Sequence, residues 1–209
     1  EIRPVVINGR KVGVEICEDL LGLDYAVKVS DELVRQGAEL LVNISASPFH
    51  AGKLTLRVDL VSAVALKQKV PVILANLVGA QDGYDGELVF DGRSLVCGAD
   101  GKFIAVGAGF EENLIAVDLG SSEPVALPAQ APEDEIYDAL ILGIRDYFFR
   151  NGFSRAFVGL SGGVDSAVVA ALAVDALGSA NVMGVAMPSH VTSAETLSDA
   201  LLVAENLGI

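Results

Sequence analysis

Between Arg155 and Leu207 the chain passes twice from a short apolar run into a longer helical pattern, and this alternation restricts its fold more than any other feature. Arg155 to Leu160 reads as a strand, Val164 to Leu177 as a helix, Asn181 to Met187 as a second strand and Ser193 to Leu207 as a second helix. Strands separated by a helix are joined by crossovers rather than hairpins, so they lie parallel in an open α/β sheet with right-handed connections. A further helix leads into this region. Pro132 and the acidic Glu133, Asp134 and Glu135 suit its start, Ile136, Leu140, Ile144 and Phe148 form its expected apolar stripe, and Asn151-Gly152 stops it.

The first half has a different rhythm. Strands are expected over residues 11–17, 38–44 and 71–78, the last buried on both faces because it is apolar throughout. Helices are expected over 25–36, closed by Gly37, and 54–69, with Leu56, Leu60, Val64 and Lys67 on one face. From Glu87 to Asp118 the Asp91-Gly92 and Asp100-Gly101 pairs point to an antiparallel meander of hairpins. Residues 120–132, GSSEPVALPAQAP, have the composition of a linker, with the boundary near Ala131. The expected organisation is therefore a domain over 1–119, a linker over 120–132 and a second domain over 133–209.

Composition narrows the function classes. Hydrophobic residues reach 52% with no Trp, so Val, Ala, Leu and Ile build the core of a layered α/β chain. A net charge of −14 argues against a general nucleic-acid binder. The two Cys residues, far apart, form no disulfide framework, and a reducing, cytoplasmic setting is expected. No apolar run approaches the roughly 18 residues of a membrane span, and no secretory leader is visible.

Gly159-Leu160-Ser161-Gly162-Gly163-Val164-Asp165-Ser166 lies where a strand gives way to a helix, the place where backbone N–H groups and a helix dipole meet a phosphate. Gly162 and Gly163 remove Cβ atoms that would hold an anion off the backbone. Ser161 and Ser166 add hydroxyl donors, and Asp165 can hold the Mg²⁺ that accompanies a triphosphate. The stretch lacks the lysine of a Walker loop. It resembles the SGGxDS loop of the ATP pyrophosphatase (PP-loop) families, which release pyrophosphate while transferring AMP. That resemblance places Met187, in Val185-Ala186-Met187-Pro188-Ser189, near adenine at the end of the next strand.

Cys17 closes Val12-Gly13-Val14-Glu15-Ile16-Cys17 and is followed by Glu18-Asp19. Taken alone, such a cysteine reads as a small core residue. The run VGVEICEDL resembles the nucleophile segment of the nitrilase superfamily. Asn43 to Gly52 (NISASPFHAG), Asn76-Leu77-Val78-Gly79 and Phe90-Asp91-Gly92-Arg93-Ser94 extend the likeness in order. Together these segments are similar to the glutaminase domain of glutamine-dependent NAD⁺ synthetases, and the resemblance continues into the PP-loop region.

The resemblance implies the C-terminal part of a nitrilase-like α-β-β-α sandwich followed by the start of a PP-loop parallel α/β sheet. It implies Cys17 as nucleophile, the Glu18 N–H as oxyanion donor, and Ser47 and Lys53 as glutamine contacts. It further implies ATP, Mg²⁺, glutamine and deamido-NAD⁺ as the molecules handled, a homo-oligomer, and neither membrane nor nucleic acid as partner. The family's catalytic Glu and Lys precede the nucleophile by many residues and are expected outside residues 1–209. Lys11 lies six strand positions from Cys17, roughly 20 Å at about 3.3 Å per residue. Glu15 fits a structural or supporting role, His50 a structural one and Cys97 the core. The 209-residue piece is expected to be inactive by itself. The rival readings are another PP-loop amidotransferase, such as a GMP or asparagine synthetase, whose glutaminase is built differently, and a non-catalytic structural fragment. A stand-alone nitrilase is disfavoured by SGGVDS.

Overall fold

The computed structural model describes residues 1–21, 25–83, 86–120, 123–190 and 193–209, so Ser121 and Ser122 of the expected linker lie outside the described residues. Two compact units form, one from Glu1–Gly79 with Leu88–Ile136 and one from Ala80–Glu87 with Tyr137–Ile209.

The first unit is built on a six-stranded sheet. In chain order its strands are β1 (Val5–Ile7), β2 (Arg10–Ile16), β3 (Leu40–Ser45), β4 (Val72–Asn76), β7 (Leu95–Cys97) and β8 (Phe103–Val106), and they lie side by side in that same order. β2, β3 and β4 run parallel, because α1 (Val29–Arg35) and α2 (Lys53–Gln68) carry the chain back between them. β1, β7 and β8 add antiparallel edges. Residues of period two meet the helices on one face, where Leu41, Val72, Leu74 and Leu95 pack with Leu33, Val61 and Ala65.

The opposite face carries exposed Val14, Ile16 and Ile44. The expectation that residues 71–78 are buried on both faces is therefore corrected. Both helices cover the same side, leaving Ile73 half-buried and Ala75 exposed. The strand also ends at Asn76, and β5 (Val78–Gly83) pairs with β6 (Gly86–Asp91) in a separate two-stranded sheet. The meander is corrected as well. Asp100-Gly101 does turn β7 into β8, but Asp91-Gly92 marks a sheet change, with Gly92 bridging Gly109. No strand is formed over 107–118.

Two helical stripes lie one residue round from expectation. In α2 the buried residues are Leu54, Arg57, Val61 and Ala65, while Leu56 is exposed and Leu60 and Val64 are half-buried. Arg57 enters the buried stripe because Asp91 pairs with it, which apolar periodicity cannot register. In α3 (Pro132–Arg150) Glu135, Ala139 and Leu142 are buried, whereas Ile136 and Leu140 are exposed. Here the buried Arg93 guanidinium draws Glu135 inward at 3.0 Å.

In the second unit β9 (Ala156–Leu160) and β10 (Val182–Ala186) pair in parallel, with α4 (Val164–Leu177) between them in sequence and α5 (Ala194–Leu207) following. Val158, Leu160, Ala170, Ala173, Val182 and Ala200 make its core. The Ser193 hydroxyl caps α5 by accepting from the Thr196 N–H at 3.1 Å.

Candidate functional site

Cys17 stands where β2 breaks into a 3-10 turn, Cys17–Leu20. Its φ of +47° is left-handed, a conformation that costs a non-glycine residue about 1–2 kcal/mol. The surroundings hold it there. The Asp19 carboxylate accepts from the Ile16 N–H at 2.9 Å, and the Asn43 amide donates to the Cys17 carbonyl at 3.1 Å. Asn43 is fully buried on β3, and its own oxygen accepts from the Ser45 hydroxyl at 2.6 Å.

A cleft of about 190 Å³ opens beside Cys17 and is lined also by Glu18, Ser45, Ser47, Lys53 and Arg57, with Leu20, Leu56, Leu60 and Leu74 among its apolar residues. Cys17, Ser47 and Lys53 are thus brought to one place. Lys53 is the first residue of α2, and Ser47 follows the end of β3. Ser47 is fixed through its backbone. Its N–H donates to Asn76 Oδ1 at 3.1 Å, and its carbonyl accepts from Arg57 Nη2 at 3.1 Å. The Arg57 guanidinium forks onto Asp91 at 2.8 and 2.6 Å, with both side chains nearly excluded from solvent, and Arg57 Nε has no hydrogen-bond partner. Asn76 also donates to the Gly92 carbonyl at 2.8 Å, and its N–H donates to Ser94 Oγ at 3.1 Å. The segments around Asn43, Asn76 and Asp91 are therefore one hydrogen-bonded support for the cleft.

The other titratable side chains near β2 are engaged elsewhere. Glu15 is buried and accepts from Ser30 Oγ at 2.5 Å, leaving its second oxygen unpartnered. Burial pushes its carboxyl above the usual range, against the Ser30 hydroxyl, which favours the charged form. Lys11 Nζ donates to the Gln36 carbonyl at 3.2 Å. Tyr25 donates to Glu18 Oε2 at 3.0 Å. His50 is exposed and bonded to its neighbour's carbonyl. Cys97 is core, its thiol pushed up to about 11 by burial and by Asp100.

Asn43, Asn76 and the Arg57–Asp91 pair were not singled out by sequence. The available signal was polar residues inside otherwise apolar elements, VNI, LAN and the α2 stripe, where a buried amide or charge needs partners.

The second cleft, about 310 Å³, lies within the second unit between the Ser161 turn, the end of β10 and the start of α5. Ser161, Met187, Pro188, Ser193 and Thr196 are among its lining residues. The turn is closed by its own serines. Ser166 Oγ accepts from the Ser161 N–H at 3.2 Å and donates to the Gly163 carbonyl at 2.9 Å, while Ser161 Oγ accepts from the Gly163 N–H at 3.3 Å. Gly162 has φ +80°, and a Cβ there would lie 2.3 Å from the Thr196 carbonyl oxygen, so no side chain fits. Val164 and Asp165 are exposed in the first turn of α4. Gly159 and Leu160 end β9 in register with Val185 and Ala186, and the exposed Met187 passes within 3.4 Å of where a Gly159 Cβ would stand.

Each cleft lies within a stretch of the chain that matches a known protein family. The carbon–nitrogen hydrolase family model matches residues 2–126 and the NAD synthase model matches residues 136–209. A glutamine-dependent NAD⁺ synthetase of Thermotoga maritima is 41% identical across the whole chain, and one of Synechocystis is 42% identical over 95% of it. The chain spans about two fifths of the length of these curated relatives, 42% and 37%. Among solved structures, the glutamine-dependent NAD⁺ synthetase of Acinetobacter baumannii in complex with ADP superposes with a TM-score of 0.85 at 31% identity, over 99% of this chain and 39% of that one. A Cytophaga hutchinsonii structure of the same description, at 23% identity and a TM-score of 0.78 over 98% of this chain and 38% of that one, shares the fold. Through residues 2–126 the chain belongs to the carbon–nitrogen hydrolase family, and it continues into a region, 136–209, that matches the NAD synthase family.

Proposed function

We propose that this chain is part of a glutamine-hydrolysing NAD⁺ synthetase, a carbon–nitrogen ligase in which ammonia freed at Cys17 amidates an ATP-activated deamido-NAD⁺. The observation that carries the reading is one chain holding both a cysteine strained open over a cleft with Ser47 and Lys53 and a PP-loop closed by Ser161 and Ser166.

In the first cleft the Cys17 sulfur adds to the glutamine side-chain carbonyl carbon, and the carbonyl electron pair moves onto oxygen. The Glu18 N–H, next along the chain, donates to that oxyanion. The oxyanion then collapses, the proton given up by the thiol passes to the amide nitrogen, the C–N bond breaks, and that nitrogen leaves as ammonia with a thioester on Cys17. Water releases glutamate and restores the thiol. Ser47 and Lys53 hold the rest of the glutamine, with Lys53 suited to its carboxylate. Neither Glu15 nor Lys11 is assigned as base or oxyanion partner, since the first is engaged by Ser30 in the core and the second by the Gln36 carbonyl.

In the second cleft the backbone from Gly159 to Gly163, the Ser161 and Ser166 hydroxyls and the N-terminus of α4, from Val164, cradle the ATP phosphates. Met187 borders the adenine. Mg²⁺ fits the donor set, because it takes one or two carboxylates alongside phosphate oxygens, and Asp165 is an exposed carboxylate in the first turn behind the loop. Bound there, it would neutralise phosphate charge. Among the described residues no group of three or more His, Cys, Asp or Glu forms a protein-only metal cage. Adenylation of the deamido-NAD⁺ carboxylate gives ammonia a leaving group, AMP, to displace.

The domain reading, 1–119, 120–132 and 133–209, is kept with this proposal, as are a homo-oligomer and a cytoplasmic setting. The two free cysteines suit a reducing compartment. No helix among the described residues is long and apolar enough to cross a membrane. The carbon–nitrogen hydrolase match favours this reading over GMP and asparagine synthetases, and SGGVDS favours it over a stand-alone nitrilase. Supplying the full-length protein with deamido-NAD⁺, ATP and glutamine should yield NAD⁺, AMP and pyrophosphate in equal amounts. ADP and phosphate as products, or no NAD⁺ from either glutamine or ammonia, would overturn the proposal.

A further inference from the structure

We propose that Asn43 is a positioning residue for glutamine hydrolysis, which sets the direction of the Glu18 N–H by holding the carbonyl at the other end of the same peptide. The inference rests on the glutaminase reading of the Cys17 cleft and adds to it a residue that is not among those lining the cleft.

A trans peptide is planar, so its C=O and N–H point in opposite directions and cannot turn independently. The carbonyl of Cys17 and the N–H of Glu18 belong to one such unit. Asn43 Nδ2 donates to that carbonyl at 3.1 Å from β3, which directs the Glu18 N–H away from β3. Both Cys17 and Glu18 line the cleft. The peptide needs holding because Cys17 has left-handed backbone, φ +47°, and a short 3-10 turn offers few main-chain bonds to fix it.

Asn43 is itself held. It is fully buried opposite Glu15 in the β2–β3 register, and Ser45 Oγ donates to its side-chain oxygen at 2.6 Å, leaving the amide nitrogen as the end that faces Cys17. The planar amide does both at once, accepting from Ser45 through its oxygen and donating to the carbonyl through its nitrogen. An aspartate has the same shape but presents an acceptor to an acceptor, which would turn the peptide away.

The test uses the full-length protein with Asn43→Asp and Ser45→Ala, and follows glutamine hydrolysis, ammonia-driven NAD⁺ formation and inhibition by the aldehyde analogue of glutamine. That aldehyde adds to the thiol and places a tetrahedral oxygen where the oxyanion forms. Losing an oxyanion donor lowers kcat by about 10²–10³-fold. Asn43→Asp should therefore cut glutaminase kcat by roughly 10²-fold, with KM for glutamine changed by less than about threefold. Aldehyde affinity should fall in parallel with kcat. Ammonia-driven synthesis and the rate of Cys17 alkylation by iodoacetamide should stay within about twofold of the unmodified protein. Ser45→Ala should show the same pattern at roughly three- to tenfold.

An Asn43→Asp protein with unaltered kcat and aldehyde affinity overturns the inference while the glutaminase reading stands. A protein whose glutamine hydrolysis survives Cys17→Ala overturns the reading and the inference together. Should Asn43→Asp also lose ammonia-driven synthesis through misfolding, Ser45→Ala decides, and equal losses in kcat and alkylation rate there would refute the positioning role.

Discussion

The Cys17 cleft and the Ser161 loop are built by opposite routes. The loop is organised by hydrogen bonds among residues no more than five positions apart, Ser161, Gly163 and Ser166, with one close approach from the Thr196 carbonyl. The cleft depends on residues far apart in sequence. Asn43 holds Cys17 across 26 positions, Asn76 holds Ser47 across 29, and Asp91 holds Arg57 across 34. A phosphate cradle, the role proposed for the loop, needs only backbone N–H groups and the start of a helix, which a short contiguous segment supplies. A cysteine held in left-handed backbone, the nucleophile of the proposal, needs rigid supports from neighbouring strands, and those are buried polar side chains. The two sites should therefore fail differently when perturbed.

The largest effect should come from the Arg57–Asp91 pair. Arg57→Ala leaves the Asp91 carboxylate buried without its partner, and breaking such a pair costs about 3–5 kcal/mol. The melting transition of the first unit should fall by many degrees and glutamine use should be lost with it. A shift within a degree or two would show that the pair is not the brace of the cleft.

Gly162→Ala should act on the loop alone. It forces a Cβ against the Thr196 carbonyl oxygen and places a side chain at φ +80°, a conformation costing about 1–2 kcal/mol before any clash. ATP-dependent synthesis should drop by at least tenfold, with glutaminase activity and the melting behaviour of the first unit little changed. If both activities fell equally, the contrast between a local loop and a long-range cleft would not hold.

A finer test concerns Glu15, whose carboxyl is raised in the folded chain by burial, above the reference value of 4.5. A raised carboxyl favours folding below its unfolded pKa, and that contribution is lost as pH rises through the folded value. Glu15→Gln cannot titrate. The melting temperature of the variant relative to the unmodified protein should climb as pH is raised from about 4.5 through neutrality, by a small amount. A difference that stays flat with pH would mean the carboxyl is satisfied in its ionised form.

The same contrast explains what was legible in the sequence. The loop, both strands of the second unit and Ser193 as the start of the last helix were readable, because each rests on local pattern and turn chemistry. Cys17, Ser47 and Lys53, read from their segments and the order of those segments, line one cleft. The supports were hidden. Nothing in the period of α2 announces that Arg57, not Leu56, faces inward, because the reason is an aspartate 34 residues on. In α3 a buried Arg93 similarly turned Glu135 inward against the apolar stripe. The 71–78 run misled for a related reason. Its apolar content suggested two covered faces, but which faces are covered depends on where α1 and α2 pack.

The most direct test crosses two variants of the full-length protein with two nitrogen donors. Cys17→Ala should abolish NAD⁺ formation from glutamine and leave ammonia-driven formation within about twofold, because the thioester serves only to free ammonia. Asp165→Ala should lower synthesis from both donors by tenfold or more, since ATP binding serves the shared adenylation step. Equal losses from Cys17→Ala with glutamine and with ammonia, or undiminished ATP-dependent synthesis by Asp165→Ala, would contradict the assignment of glutamine chemistry to the first cleft and nucleotide chemistry to the second.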